Sequence, residues 1–138
     1  MEGNTRIGHD LAHIVLEVIR TELIARGDGA AVAVVDPHGE LVAFARTDGC
    51  PLPSITIAIN KAFTAARERI PSAEVGRRSR TEGFPMTNYG DPRFVSWGGG
   101  VPIVVDGEVM GAVGVSGLPE HVDVELAQLG AAAAASEG

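Results

Sequence analysis

The stretch that decides the fold is "WGGGVPIVVDGEVMGAVGVSG", Trp97 to Gly117. Asp106-Gly107 divides two apolar, β-branched runs, Val101 to Val105 and Val109 to Val115. An Asp-Gly pair between such runs signals a type I′ hairpin, because both central residues of that turn take positive φ. Gly98-Gly99-Gly100 then leads directly into a strand. A phosphate loop would need G-x-x-x-x-G-K-[ST], or G-x-G-x-x-G opening a helix. Here no helix N-terminus follows to present aligned N–H groups, so a nucleotide cradle is excluded. What remains is a tight corner whose bare backbone faces a ligand pocket. Gly111, Gly114 and Gly117 point to close approach by a helix or ligand along the second strand.

Working outward, Ile7 to Ala25 has apolar residues three and four apart and ends at Gly27-Asp28-Gly29, which predicts an amphipathic helix. Ala30 to Val35 and Leu41 to Ala45 flank the turn Asp36-Pro37-His38-Gly39 and predict a hairpin. Ser54 can cap a helix running to about Arg69, stopped by Pro71, and Ser72 a shorter one to about Arg80. Thr81 to Arg93 has no period and reads as a long loop. Phe94 to Trp97 reads as a short strand. A final helix follows Pro119, with Val122, Leu126, Leu129 and Ala133 inward. The order α-β-β-α-(α)-β-β-β-α, dominated by hairpins, is an α+β arrangement on a mostly antiparallel sheet.

The 138 residues fit one domain, 1–138. A 45% hydrophobic content allows a packed core, and with 4% aromatics Ala, Val and Ile must fill it. The net charge of −7 argues against nucleic acid or an anionic membrane as the main partner. The lone Cys50 excludes an internal disulfide and fits a reducing compartment. No apolar run reaches the ~18 residues of a membrane span. The opening "MEGNTRIGHD" lacks the pattern of a signal peptide. A cytoplasmic protein is expected.

The blocks "AVAVVDPHGELVAFARTDG", "SITIAINKAFTAA", "WGGGVPIVVDGEVMGAVGVSG" and "HVDVELAQLGAAA" together resemble the GlcG/HbpS-like family, which includes the C-terminal domain of PduO-type proteins. They fall in the family's order from about Ala30 to Ala134, and the glycine-rich block is the specific one. The resemblance implies a profilin-like α/β/α sandwich on a five-stranded antiparallel sheet, assembled as a homo-oligomer. It implies a small-molecule ligand, with haem or a corrinoid bound by some members, while others sit among small-molecule catabolic genes. Fold follows from such a resemblance better than activity does. "RTEGFPMTNYGDPRFVSWGGG" is more polar and aromatic than the plainer stretch typical of the family, which hints at a tailored pocket.

Several residues are candidates for chemistry. Lys61, in "NKAFTAA", matches the family's lysine position; it is an anchor for a carboxylate, a base if desolvated, or a paired surface lysine. Arg46 ends the second strand and could grip an anion in bidentate fashion, or form a strand-end ion pair. His9 and His13 share one face of the first helix, as a metal or haem ligand pair or as surface residues. Asn88, Tyr89, Asp91, Phe94 and Trp97 flank the glycine run; they form a pocket wall with polar tips, or a satellite core under the loop. Arg77, Arg78 and Arg80 form the one basic block.

Two functions compete. In the first, the chain binds a small, anionic molecule, with haem or another tetrapyrrole held by His9 or His13 and lined by Phe94, Trp97 and Gly98, Gly99 and Gly100. In the second, it is a cofactor-independent isomerase, tautomerase or lyase. There Lys61 or Arg46 binds the anion, Asn88, Tyr89 or Asp91 moves protons, and N–H groups near Gly98 to Gly100 hold an oxyanion.

Overall fold

In a computed structural model of the chain, residues 6–137 are described. The first five residues of the stretch read for a leader lie outside them. The elements are α1 (His9–Arg26), β1 (Ala31–Val35), β2 (Leu41–Arg46), α2 (Pro53–Glu68), α3 (Ser72–Glu82), β3 (Gly100–Val105), β4 (Glu108–Ser116) and α4 (Glu120–Glu137), with a 3-10 turn at Met86–Tyr89. The strands form one antiparallel sheet in the order β2-β1-β4-β3. Asp106 and Gly107 have φ of 52° and 80°, the two positive values that the Asp-Gly turn demands.

Helices cover both faces of the sheet, giving an α/β/α sandwich. Alternation along the central strands explains why. Val32, Val34, Val113 and Val115 point to one side and pack with Val15, Ile19 and Leu23 of α1 and Leu126 of α4. Each such side chain contributes about 1.5–3 kcal/mol on full burial. Ala31, Ala33, Val35 and Ala112 point the other way, against Ala58, Ala62, Ala65 and Ala66 of α2. One row across that second face, Ala33, Gly114 and Gly100 in register on β1, β4 and β3, carries no side chain larger than a methyl group. The backbone of α2 settles into this trough. A Cβ on Gly114 would collide with the Ala58 carbonyl oxygen, and one on Gly100 with that of Lys61.

The sheet has four strands, not five. Phe94 to Trp97 forms no ladder. Its backbone is tied to α2 instead: Val95 N–H donates to Thr64 Oγ1 (2.9 Å), and that hydroxyl donates to the Arg93 carbonyl (3.3 Å). Ser96 also passes so close to Gly76 of α3 that a Cβ there would strike the Ser96 carbonyl.

Other expectations shift for local reasons. Leu129 is 40% exposed, and the inward face of α4 is Asp123, Leu126, Ala127, Gly130 and Ala134. Ser54 and Ser72 lie inside the first turns of α2 and α3 and make no capping bond. The long loop is partly regular, since α3 runs through Glu82 and a 3-10 turn follows. No helix among the described residues is long and apolar enough to cross a membrane.

Candidate functional site

The trough under α2 places Lys61 at the open end of the glycine run. A Cβ on Gly99, whose φ is 124°, would stand 2.9 Å from Lys61 Nζ and 2.6 Å from the Val115 carbonyl oxygen. Only glycine leaves room for the ammonium group there. Lys61 Nζ donates to that carbonyl (3.0 Å) and to Asp123 Oδ2 (3.0 Å), and both residues are 2% exposed. Asp123 Oδ1 accepts the Leu118 N–H (3.2 Å). Burial pushes the Asp123 carboxyl above its ordinary value, opposed by the Lys61 charge and by backbone N–H groups.

This ion pair lines a cavity of about 340 Å³, together with Pro51, Ser54, Ile57, Trp97, Ser116, Gly117, Leu118 and Glu120. Trp97 stands at its mouth, 58% exposed. The glycine run is pinned around it by side chains. Gly98 N–H donates to Glu120 Oε2 (2.7 Å) and Gly100 N–H to Ser72 Oγ (2.8 Å), while Ser72 Oγ donates to the Trp97 carbonyl (2.8 Å). The N–H groups of Gly98 and Gly100 are therefore engaged within the chain, so an oxyanion role for them would require breaking those bonds. The three glycines serve close packing of α2, α3 and α4 around the ion pair, and Trp97 is what faces the cavity.

The remaining candidates lie elsewhere. Arg46 is exposed at the end of β2, by a separate cavity of about 290 Å³ lined with Thr47, Asp48, Gly49 and Cys50. It pairs across the sheet with Ala31, which pairs with Ser116, so it shares the sheet end of the Lys61 cavity two strands away. Burial pushes the Cys50 thiol up, away from the thiolate form.

Tyr89 and Phe94 belong to an aromatic cluster on the outside of α2. Their rings stack at 4.2 Å, and Phe94 meets Phe63 edge-on at 5.1 Å. The Arg93 guanidinium lies 4.0 Å from the centre of the Phe63 ring. Tyr89 donates to Glu68 Oε1 (3.3 Å), and Asp91 pairs with Arg93 (2.9 Å), which holds its carboxyl below the ordinary value. Asp91 and Phe94 line a further cavity of about 440 Å³ with Met86, Thr87, Gly90 and Pro92, and Asn88 is exposed beside it. Asn88, Tyr89, Asp91 and Phe94 are thus not gathered with Lys61 and Trp97.

His9 and His13 are exposed on α1. Ile7 N–H donates to the Met110 carbonyl (2.7 Å), which places the start of α1 at the far end of β4 from Ser116, roughly 20 Å away at ~3.3 Å per strand residue. Among the described residues no cluster of three His, Cys, Asp or Glu side chains could hold a metal.

Sequence reasoning missed Asp123, Ser72 and Glu120. Asp123 had a usable signal. Residues 123, 126, 127, 130 and 134 form one helical stripe, and an aspartate inside an apolar stripe demands a partner.

The family described as haem degrading protein HbpS-like matches residues 7–132. Protein GlcG of Escherichia coli (strain K12) is 35% identical over 123 residues, covering 84% of this chain and 85% of GlcG. The crystal structure of a double mutant of Streptomyces reticuli HbpS superposes with a TM-score of 0.84 at 28% identity, over 96% of this chain and 89% of that one. A PduOC:heme complex superposes with a TM-score of 0.85 at 23% identity, over 93% of this chain and 94% of that one, a likeness that bears on the fold alone.

Proposed function

The chain belongs to the HbpS-like family, and on that premise we propose that it binds a small molecule in the Lys61 cavity. The observation that carries this reading is the buried ammonium group. It has three N–H donors. Two reach Val115 and Asp123, which leaves one for a carbonyl or carboxylate oxygen of a ligand. Ile57, Leu118 and Trp97 supply apolar contact, as is usual in small-ligand sites with a few polar groups. Asp123 already offsets the charge of Lys61, and Glu120 adds a negative charge at the wall, so the ligand is neutral or a monoanion.

The test is a thermal-shift and calorimetric screen of small carbonyl compounds and monocarboxylates. A ligand in excess of its Kd raises the melting temperature, and Trp97→Ala should weaken it by about tenfold, the loss of roughly 1.4 kcal/mol of aromatic contact. A bound structure with the ligand away from Lys61 overturns the reading.

Haem binding is a second reading, carried by the family's description. The Lys61 cavity does not fit it, because no His, Cys, Met or Tyr lines that cavity to bind iron. His9 and His13 are the candidate iron ligands, and haem held there would lie on the outer surface of α1. A titration followed at the Soret band decides. A shift lost in the His9→Ala, His13→Ala variant supports the reading, and no shift in the wild type removes it. Homo-oligomer assembly, in which exposed apolar side chains such as Leu52 (74% exposed) and Trp97 would be covered, is checked by light scattering.

A further inference from the structure

We propose that Lys61 and Asp123 act together as a proton-transfer pair that enolises a small carbonyl compound held in their cavity, an inference that rests on the ligand site proposed above. Lys61 has one N–H left after its bonds to Val115 and Asp123. A carboxylate has roughly four acceptor positions. Lys61 Nζ and the Leu118 N–H take two of these at Asp123. A donor and acceptor capacity therefore remain on two groups 3.0 Å apart, and both line the same cavity. That is the arrangement keto–enol chemistry requires: a donor at the carbonyl oxygen and a base at the neighbouring carbon.

The step balances without a cofactor. The substrate's carbonyl oxygen takes the remaining Lys61 N–H as a hydrogen bond. Asp123 removes a proton from the adjacent carbon, and the C–H electron pair moves into the carbon–carbon bond as the carbonyl π pair moves onto oxygen. The enolate is stabilised by the ammonium group, which remains an ammonium. The proton on Asp123 trades with solvent before the carboxyl reprotonates the same carbon, so the carbonyl compound is regenerated with its α-protons exchanged. Low water content around the pair strengthens the Lys61 interaction, and a carboxyl raised by burial is a stronger base than an exposed aspartate. Glu120 is held by Gly98 N–H at the wall, and with Asp123 it gives the site a net charge of 1 − 2 = −1. This selects neutral or singly charged substrates over dianions.

The experiment is proton NMR in deuterated buffer with pyruvate and 2-oxoglutarate as probes. Wild-type protein should exchange the pyruvate methyl protons about 10²-fold or more above buffer, and leave 2-oxoglutarate near the buffer rate. Asp123→Asn should return pyruvate to the buffer rate while pyruvate still raises that variant's melting temperature. Should Asp123→Asn fail to fold, the wild-type pH profile decides: the rate rises as one carboxyl ionises above the ordinary aspartate range, and a flat profile overturns the proposal. Pyruvate that stabilises the wild type without exchange overturns proton transfer and leaves the binding site standing. Pyruvate that neither stabilises nor exchanges overturns both.

Discussion

The two faces of the sheet are built on opposite principles. Toward α1 and α4 the strands present valines and an isoleucine to large aliphatic side chains, and that layer is held by apolar area. Toward α2 they present alanines and glycines, and the helix lies so close that backbone nearly meets backbone. The close face has little area to contribute, yet it carries most of the buried polar groups, Lys61, Thr64 and Ser54 on α2 and Ser72 on α3, while Asp123 of α4 is buried as the partner of Lys61. Small side chains bring carbonyls and N–H groups within reach, so polar side chains can be satisfied there. No buried side-chain nitrogen or oxygen among the described residues lacks a partner.

The sharpest way to break this contrast is Lys61→Met. It leaves the Asp123 carboxyl buried without its cation and should cost about 3–5 kcal/mol in urea unfolding. Adding Asp123→Leu should recover most of that loss. A single variant of wild-type stability would show that the polar interior is not what holds this end of the fold. Next in size is Gly114→Ala. The new methyl meets a backbone carbonyl that cannot swing away, so a loss near or above the usual ~3 kcal/mol for overpacking is expected, read from the chemical midpoint. On the aliphatic face Ile19→Val removes one methyl from a site with flexible neighbours and should cost only about 0.5–1.5 kcal/mol.

The smallest effect is on pH dependence, where two carboxylates carry opposite signs. Asp123 is held above its ordinary 3.8 by burial, so the folded chain binds that proton more tightly than the unfolded one. Its contribution is most favourable below 3.8 and is lost as pH rises through the raised folded value. Glu74, half-buried and paired with Arg77, is held down to about 2 from 4.5. Its contribution is present above 4.5 and lost as pH falls toward 2. A carbon NMR titration should find Asp123 titrating above Asp91, the carboxylate that Arg93 holds down. The reverse order would remove burial as the controlling cause at Asp123.

Much of this architecture was readable from local pattern. The Asp106-Gly107 turn, the first hairpin and the helices depend on residues close in sequence, and they are where the pattern puts them. Lys61 was a candidate, and it lies in the cavity wall beside Trp97. The failures are long-range. Phe94 to Trp97 looked like a strand because its residues suit one, but Thr64, about thirty positions earlier, captures its backbone. Tyr89 and Trp97 lie on the same side of the glycine run in sequence but are not gathered in space, because Tyr89 stacks on Phe94 and Phe94 packs on Phe63 of α2, while Trp97 lines the Lys61 cavity. The partner of Lys61 lies 62 residues away on α4, and no local rule finds it. The glycines themselves proved to answer to a helix packing upon them.

The alternation along β4 has a consequence for how this chain can change length. Val113 and Val115 belong to one layer, and Ala112, Gly114 and Ser116 to the other. Losing one residue from the strand would invert every side chain beyond it, driving valines into the trough that admits only hydrogen and methyl. Losing two would shorten the strand and leave its layers sorted. Relatives that differ in length here should therefore differ by even steps, or keep their additions in the turn at Asp106-Gly107, where both flanking strands already end.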